Sequence, residues 1–195
     1  HKYSDDKNVI KIQSLKNKLI QPYLPKIDRF RSICYPNRDE LFSSGYSPFS
    51  RIVNFINELN PDIVHFHWIP RLTNIKKISN IEAKVIVTLR DYWMITGGCN
   101  YPVNCEQFKK TCTVCPHLKN LYLKKDISYF NFIKKRNFIL ENKNKLNIVV
   151  PNNEMYAELV KLNIFNKEQI HLIPNGINSD EFFPTDKNLS KEKLE

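Results

Sequence analysis

Lys84-Val85-Ile86-Val87-Thr88-Leu89 is an apolar, β-branched run with no polar alternation. β-branched side chains favour a pleated strand, and the lack of alternation marks a strand covered on both faces, as in a parallel sheet. Working outward, residues 62–67 (DIVHFH), 146–150 (LNIVV) and 169–173 (QIHLI) read the same way. Helical patterns separate them. Ser47-Pro48 supplies an N-cap followed by proline at the first helical position. Ile52, Phe55, Ile56 and Leu59 then recur at helical spacing until Asn60-Pro61 ends the helix. A polar helix is expected over 72–79. Asp126 is expected to cap a helix reaching about residue 142, with Phe130, Ile133 and Ile139 on or near one face. Asn152 or Asn153 caps another through 162, with Met155, Leu159 and Leu162 inward. Pro174-Asn175-Gly176 closes the last strand with a turn signal. Helices and strands alternating in this way predict an α/β fold: a doubly wound, mostly parallel sheet with helices on both faces. A long irregular, cysteine-rich loop is inserted over 90–125.

The remainder of the 195-residue chain is less legible. Residues 9–12 and 30–34 read as short strands, and Pro22, Pro25 and Pro36 break what surrounds them. The expected organisation is an incomplete N-terminal portion over 1–45, an α/β domain over 46–185, and the start of a linker or a cloning remnant over 186–195. No apolar run approaches the ~18 residues of a membrane span. Lys2, Asp5, Asp6 and Lys7 stand where a signal peptide would be apolar. A cytoplasmic location is expected, extending to the inner face of the membrane. The formal net charge of +10 fits a solvated lysine-rich surface, or attraction to a polyanion or anionic leaflet. The lysines are spread along the chain rather than gathered in a nucleic-acid stripe.

In open α/β sheets ligands bind beyond the C-terminal ends of the strands. That rule selects residues 65–68, 88–93, 151–153 and 174–177. The richest stretch is TLRDYWMITGGCNYPVNCEQFKKTCTVCP, residues 88–116. Two of only four glycines are adjacent in it, Gly97 and Gly98. With Thr96 they form either a tight turn or a cradle of amides for a phosphate or sugar hydroxyl. Cys99, Cys105, Cys112 and Cys115 follow the spacing C-x5-C-x6-C-x2-C. The C-x2-C step suits two ligands of a tetrahedral structural zinc, with His117 as a spare ligand. Disulfides, a redox C-x-x-C and buried free thiols are the alternatives. His65 and His67, two apart on a strand, point to one face, and His67 is the candidate substrate contact. Arg90 and Asp91 end a strand, where Arg90 pairs either with a carboxylate of the protein or with a bound anion, phosphate first.

These segments resemble a known family. PDIVHFHW, then VTLRDYWMITGGCNYPVNC…CTVCP, then HLIPNGINSDEFFP are similar to retaining glycosyltransferases of the GT-B fold, glycosyltransferase family 4, in the bacterial surface-polysaccharide subgroup. The likeness covers about residues 47–185. It implies two Rossmann-like domains facing a cleft, with this chain as the N-terminal, acceptor-side one. The nucleotide-sugar donor would be held mainly by a second domain bearing an E-x7-E motif, and the acceptor would be a glycan or lipid-linked glycan. Arg90 and Asp91 would then be catalytic, and His67, Thr96, Gly97, Gly98, Asn175 and Gly176 would bind substrate. Without the donor domain the chain is expected to be inactive.

Two departures stand out. The family's Gly-rich loop after its first strand has no match in residues 1–45, where Gly45 alone is present. The family's T-L-H-D-x-W reads T-L-R-D-Y-W here, with Arg90 in the histidine's place. A guanidinium can stabilise a leaving diphosphate but cannot shuttle a proton. The competing reading is a basic zinc-knuckle module that grips nucleic acid or another polyanion. Against it, no aromatic residues interleave with basic ones around the cysteines as a stacking platform requires, so no nucleic-acid partner is expected.

Overall fold

Four strands lie side by side in chain order: β1 (Ile63–Phe66), β2 (Lys84–Thr88), β3 (Leu146–Val150) and β4 (Ile170–Leu172). Each pairs in parallel with the next. The computed structural model describes residues 33–35, 37–47, 51–119 and 123–185, with the single residues 6, 8, 23, 26, 187 and 191. The strand expected over 9–12, most of that over 30–34, and Pro22, Pro25, Pro36 and Pro48 fall outside them; Ile33 and Cys34 lie in a turn.

β2 and β3 form the centre. Val85 stands beside Leu146 and Val87 beside Ile148 in register, and all four are buried. The unbroken apolar pattern follows from that double coverage. β1 departs from it. Among the described strands it is an edge, pairing with β2, and of its residues Phe66 is buried while Ile63 is 55% exposed.

Connecting helices close the core. α1 (Ile52–Leu59) buries Val53 and rests Ile52 and Ile56 against the hydrophobic core. It stops at Asn60, whose left-handed φ of 46° turns its N–H back to the Asn57 carbonyl before Pro61. α2 is confined to Ile75–Ile78, shorter than the sequence suggests, with the Asn74 side chain accepting from the Lys76 amide. α3 (Ile127–Glu141) opens where the Asp126 carboxylate accepts from the Ser128 amide at 2.8 Å. α4 (Asn153–Leu162) is capped by Asn152, which accepts from the Met155 amide at 2.8 Å. Met155 and Leu159 are buried and Leu162 is half-buried.

The inner face of α3 differs from expectation. Ser128, Asn131, Phe132, Lys135, Phe138 and Ile139 face the core, while Phe130 and Ile133 are 64% and 38% exposed. At 3.6 residues per turn Phe130 lies about 200° from Phe132. The polar Asn131 and Lys135 interrupt the buried stripe and disguise it.

Among the described strands the order runs straight along the chain with no reversal. The architecture is a Rossmann-like parallel α/β sheet, and the switch point of a doubly wound sheet is not among the described strands. Parallel pairing still brings all four C-terminal strand ends to one edge. The long segment after β2 leaves from that edge and returns to α3 through short 3-10 turns at Trp93–Ile95, Gln107–Lys109 and Pro116–Leu118. No described helix is long and apolar enough to cross a membrane.

The face of α3 is testable by truncation. Phe138→Ala removes a fully buried ring and should cost about 3–5 kcal/mol in urea unfolding. Phe130→Ala should cost less than about 1 kcal/mol. The reverse order would show that the helix is rotated.

Candidate functional site

A shallow recess opens between the ends of β1 and β2, lined by His67, Trp68, Thr88, Arg90 and Asp91 among others, and encloses about 280 Å³ including its open mouth. Parallel pairing puts Phe66 beside Val87, so the residues that follow each strand emerge together. The His65 and His67 rings lie on one face with centroids 4.1 Å apart. His65 Nε2 meets the Thr88 hydroxyl at 2.7 Å, and desolvation, then His67, lowers its pKa. His67 is exposed at the mouth.

Arg90 and Asp91 part company. Asp91 turns inward, is 9% exposed, and accepts from the Trp93 amide at 2.9 Å. Burial pushes its carboxyl pKa up, against the pull of that amide and of Lys135. Arg90 turns out to solvent and forms no ion pair with a described carboxylate. The carboxylate pairing weighed from the sequence is therefore not made with Asp91.

The glycine pair is packed inside the loop. Thr96, Gly97 and Gly98 are all buried. A Cβ on Gly97 would meet the Ser128 carbonyl oxygen at 2.5 Å, and one on Gly98, whose φ is +146°, would meet the Phe42 ring at 2.6 Å. Close packing on the start of α3 and on Phe42 therefore accounts for both glycines. Their polar groups are used internally. Gly98 N donates to Thr96 Oγ1 at 3.3 Å, Gly98 O accepts from Ser43 N at 2.9 Å, and the Gly97 amide serves the Cys112 thiol. Asn175 and Gly176 lie in an exposed segment, and nothing is within 4 Å of where a Gly176 Cβ would be.

The four cysteines do not assemble as a tetrahedral set. Cys99 Sγ and Cys115 Sγ approach to 3.4 Å. Cys112 is buried beside the Gly97 amide, with its pKa pushed up to about 12 chiefly by burial, and Cys105 is half-buried. Among the described residues no three Cys, His, Asp or Glu side chains group closely enough to hold one ion. His117 is not spare: its Nδ1 meets Asp39 Oδ2 at 2.6 Å and its Nε2 meets the Tyr101 carbonyl at 2.9 Å, so neither nitrogen faces a metal. The arrangement does not fit the expected four-thiolate zinc.

Sequence reasoning missed Lys135. Its Nζ donates to the Trp93 carbonyl at 2.5 Å and the Thr96 carbonyl at 3.1 Å, and lies 3.6 Å from the centroid of the Trp93 ring. It is 3% exposed. It thus holds both ends of the turn that carries Trp93 to Thr96 below the recess. The available signal was its helical phase with Phe132, Phe138 and Ile139.

With this geometry in view, comparison with known proteins finds one partial relative. The chain is 33% identical over 70 residues to a protein described as the colanic acid biosynthesis glycosyl transferase WcaC of Escherichia coli (strain K12), a match spanning 31% of this chain and 17% of that protein. No family model matches, and no solved structure matches. The chain is therefore related over part of its length to a glycosyltransferase of polysaccharide biosynthesis.

Lys135 generates a pH test. A lysine ordinarily titrates near 10.5, and desolvation lowers this one to about 7. Between those values the unfolded chain holds a proton that the folded chain lacks, so stability from this group rises with pH and is least below about 7. Unfolding free energies of wild type and Lys135→Met, measured from pH 7 to 9.5, should diverge in favour of wild type by up to roughly 3 kcal/mol. A constant difference would mean that the amine stays charged in its carbonyl cradle.

Proposed function

We propose that this chain is the acceptor-side domain of a GT-B glycosyltransferase, serving transfer of a sugar from a nucleotide-sugar donor to a glycan or lipid-linked acceptor in polysaccharide synthesis. One observation carries the reading. In a chain partly similar to a glycosyl transferase, an outward-facing Arg90 stands at the C-terminal strand edge beside a recess, with no ion pair to a described carboxylate.

The chemistry follows from that guanidinium. Sugar transfer leaves negative charge on a departing diphosphate, and donors placed in advance around that charge lower the barrier. Arginine offers a permanent charge and a planar fork that matches phosphate oxygens. It moves no proton, so the proton of the acceptor hydroxyl leaves by another group. His67, exposed at the mouth, is the group placed to contact the acceptor. Asp91 acts through the Trp93 amide to fix the turn. The remaining donor contacts belong to a second domain, so the chain alone is expected to bind nucleotides only in the millimolar range and to turn nothing over. A peripheral contact with an anionic leaflet fits the +10 charge and a lipid-linked acceptor.

Amide NMR titration with UDP, GDP, their sugar conjugates and inorganic diphosphate tests this reading. Millimolar-range shifts are expected at residues 67–70 and 88–94, and Arg90→Ala should weaken them by about tenfold. Shifts confined to another surface, no loss in Arg90→Ala, or micromolar binding of nucleic acid would overturn it.

A further inference from the structure

We propose that Cys99 and Cys115 form a redox modification site, a buried dithiol that a small-molecule disulfide converts into an intramolecular Cys99–Cys115 disulfide. The proposal stands apart from the glycosyltransferase reading and rests on the loop alone. The two Sγ atoms are 3.4 Å apart across 16 positions of sequence, so a bond of about 2.0 Å needs an approach of roughly 1.4 Å.

Both backbones are already fixed for that approach. Cys99 is bridged antiparallel to Phe42, and its carbonyl accepts from Thr96 Oγ1 at 2.7 Å. The Cys115 amide donates to Asp126 Oδ2 at 2.6 Å. Around the sulfurs Tyr35, Phe42 and Leu118 form a small apolar cluster of their own, with Ile127 packed against it. An uncharged disulfide suits that setting. A metal shared by the two thiolates would need further ligands, and His117, the nearest in sequence, has both nitrogens engaged.

The exchange balances with a glutathione-type disulfide as oxidant. One cysteine thiolate attacks a sulfur of the small disulfide and expels one small thiolate. The second cysteine thiolate then attacks the mixed disulfide and expels the other. Two protein S–H bonds become one S–S bond, two electrons pass to the oxidant, and the two protons end on the two small thiols. Because both cysteines are about 4% exposed, reaction waits on local opening of the loop. It should therefore be slow in both directions. The bond would tie the residue directly after Gly97-Gly98 to the turn that leads into α3.

The test equilibrates the chain with oxidised and reduced glutathione at a series of ratios, alkylates free thiols, and digests with trypsin. Cleavage at Lys109 and Lys110 separates Cys99 from Cys115, and fragmentation of the linked peptides assigns the pair. The expected result is a Cys99–Cys115 link, two fewer free thiols and a Tm several degrees higher, the gain being absent in Cys115→Ser. The thiol count and peptide map on wild type decide the matter even if that variant fails to fold. Zinc at one per chain in protein purified without chelator, with all four loop thiols protected, would overturn the proposal. So would pairing through Cys105 or Cys112, or glutathione adducts without an internal bond.

Discussion

The buried amine of Lys135 is the contact on which the strand edge depends. Burying a lysine is costly unless its donors are satisfied, and here two backbone carbonyls and an aromatic face receive them. In return, the carbonyls of Trp93 and Thr96 gain a partner in a place that water does not reach. Losing the amine would leave the Thr96 carbonyl unpaired, at about 1–3 kcal/mol, and the Trp93 carbonyl with only the long 3.4 Å contact from Thr96 Oγ1. From Trp93 the constraint spreads. Its amide orients Asp91, its indole N–H donates to the Ser43 carbonyl at 2.9 Å, and its ring lies where any side chain at Gly45 would fall. One helix residue thereby organises the turn after β2 and the segment around residue 43.

The loop beyond that turn lacks regular ladders, so side chains satisfy much of its backbone. Gln107 accepts from the Thr113 amide and donates to the Val114 carbonyl, both at 3.0 Å. Asp126 accepts from the amides of Cys115 and Ser128, so the residue that starts α3 also ends the loop. His117 links Asp39 to Tyr101. These polar residues are what allow an irregular segment of this length to be ordered, where long loops without secondary structure are uncommon in compact domains.

Much of the sheet was legible because its signals are local. The limits of β3 and the caps Asp126 and Asn152 agree with the apolar runs and side-chain chemistry that announce them. What was not legible depends on partners distant in sequence. β1 reads as doubly buried from its apolar run, yet its exposure is set by its edge position among the described strands. The inner face of α3 was misassigned because Lys135 looks like a solvent residue until the two carbonyls are in place. Gly97 and Gly98 carry the pattern of a tight turn or an anion cradle, and their close packing against Ser128 and Phe42 is not written in that local pattern. Cysteine spacing alone did not reveal which two sulfurs meet, since Cys99 and Cys115 are joined by the fold of the whole loop rather than by the C-x2-C step.

The separation of Arg90 from Asp91 follows from the same logic. Successive side chains leaving a strand point to opposite sides. Trp93 must be set against Lys135, and its amide draws Asp91 inward to do so. Asp91 is thereby committed to the protein and is poorly placed to neutralise its neighbour. Arg90 is left facing water with its charge available. At the C-terminal edge of the parallel sheet Arg90 is a solvent-facing charge beside the recess, in no ion pair with a described carboxylate. The interior contact that orders the turn thus also determines which of two adjacent charged residues faces solvent.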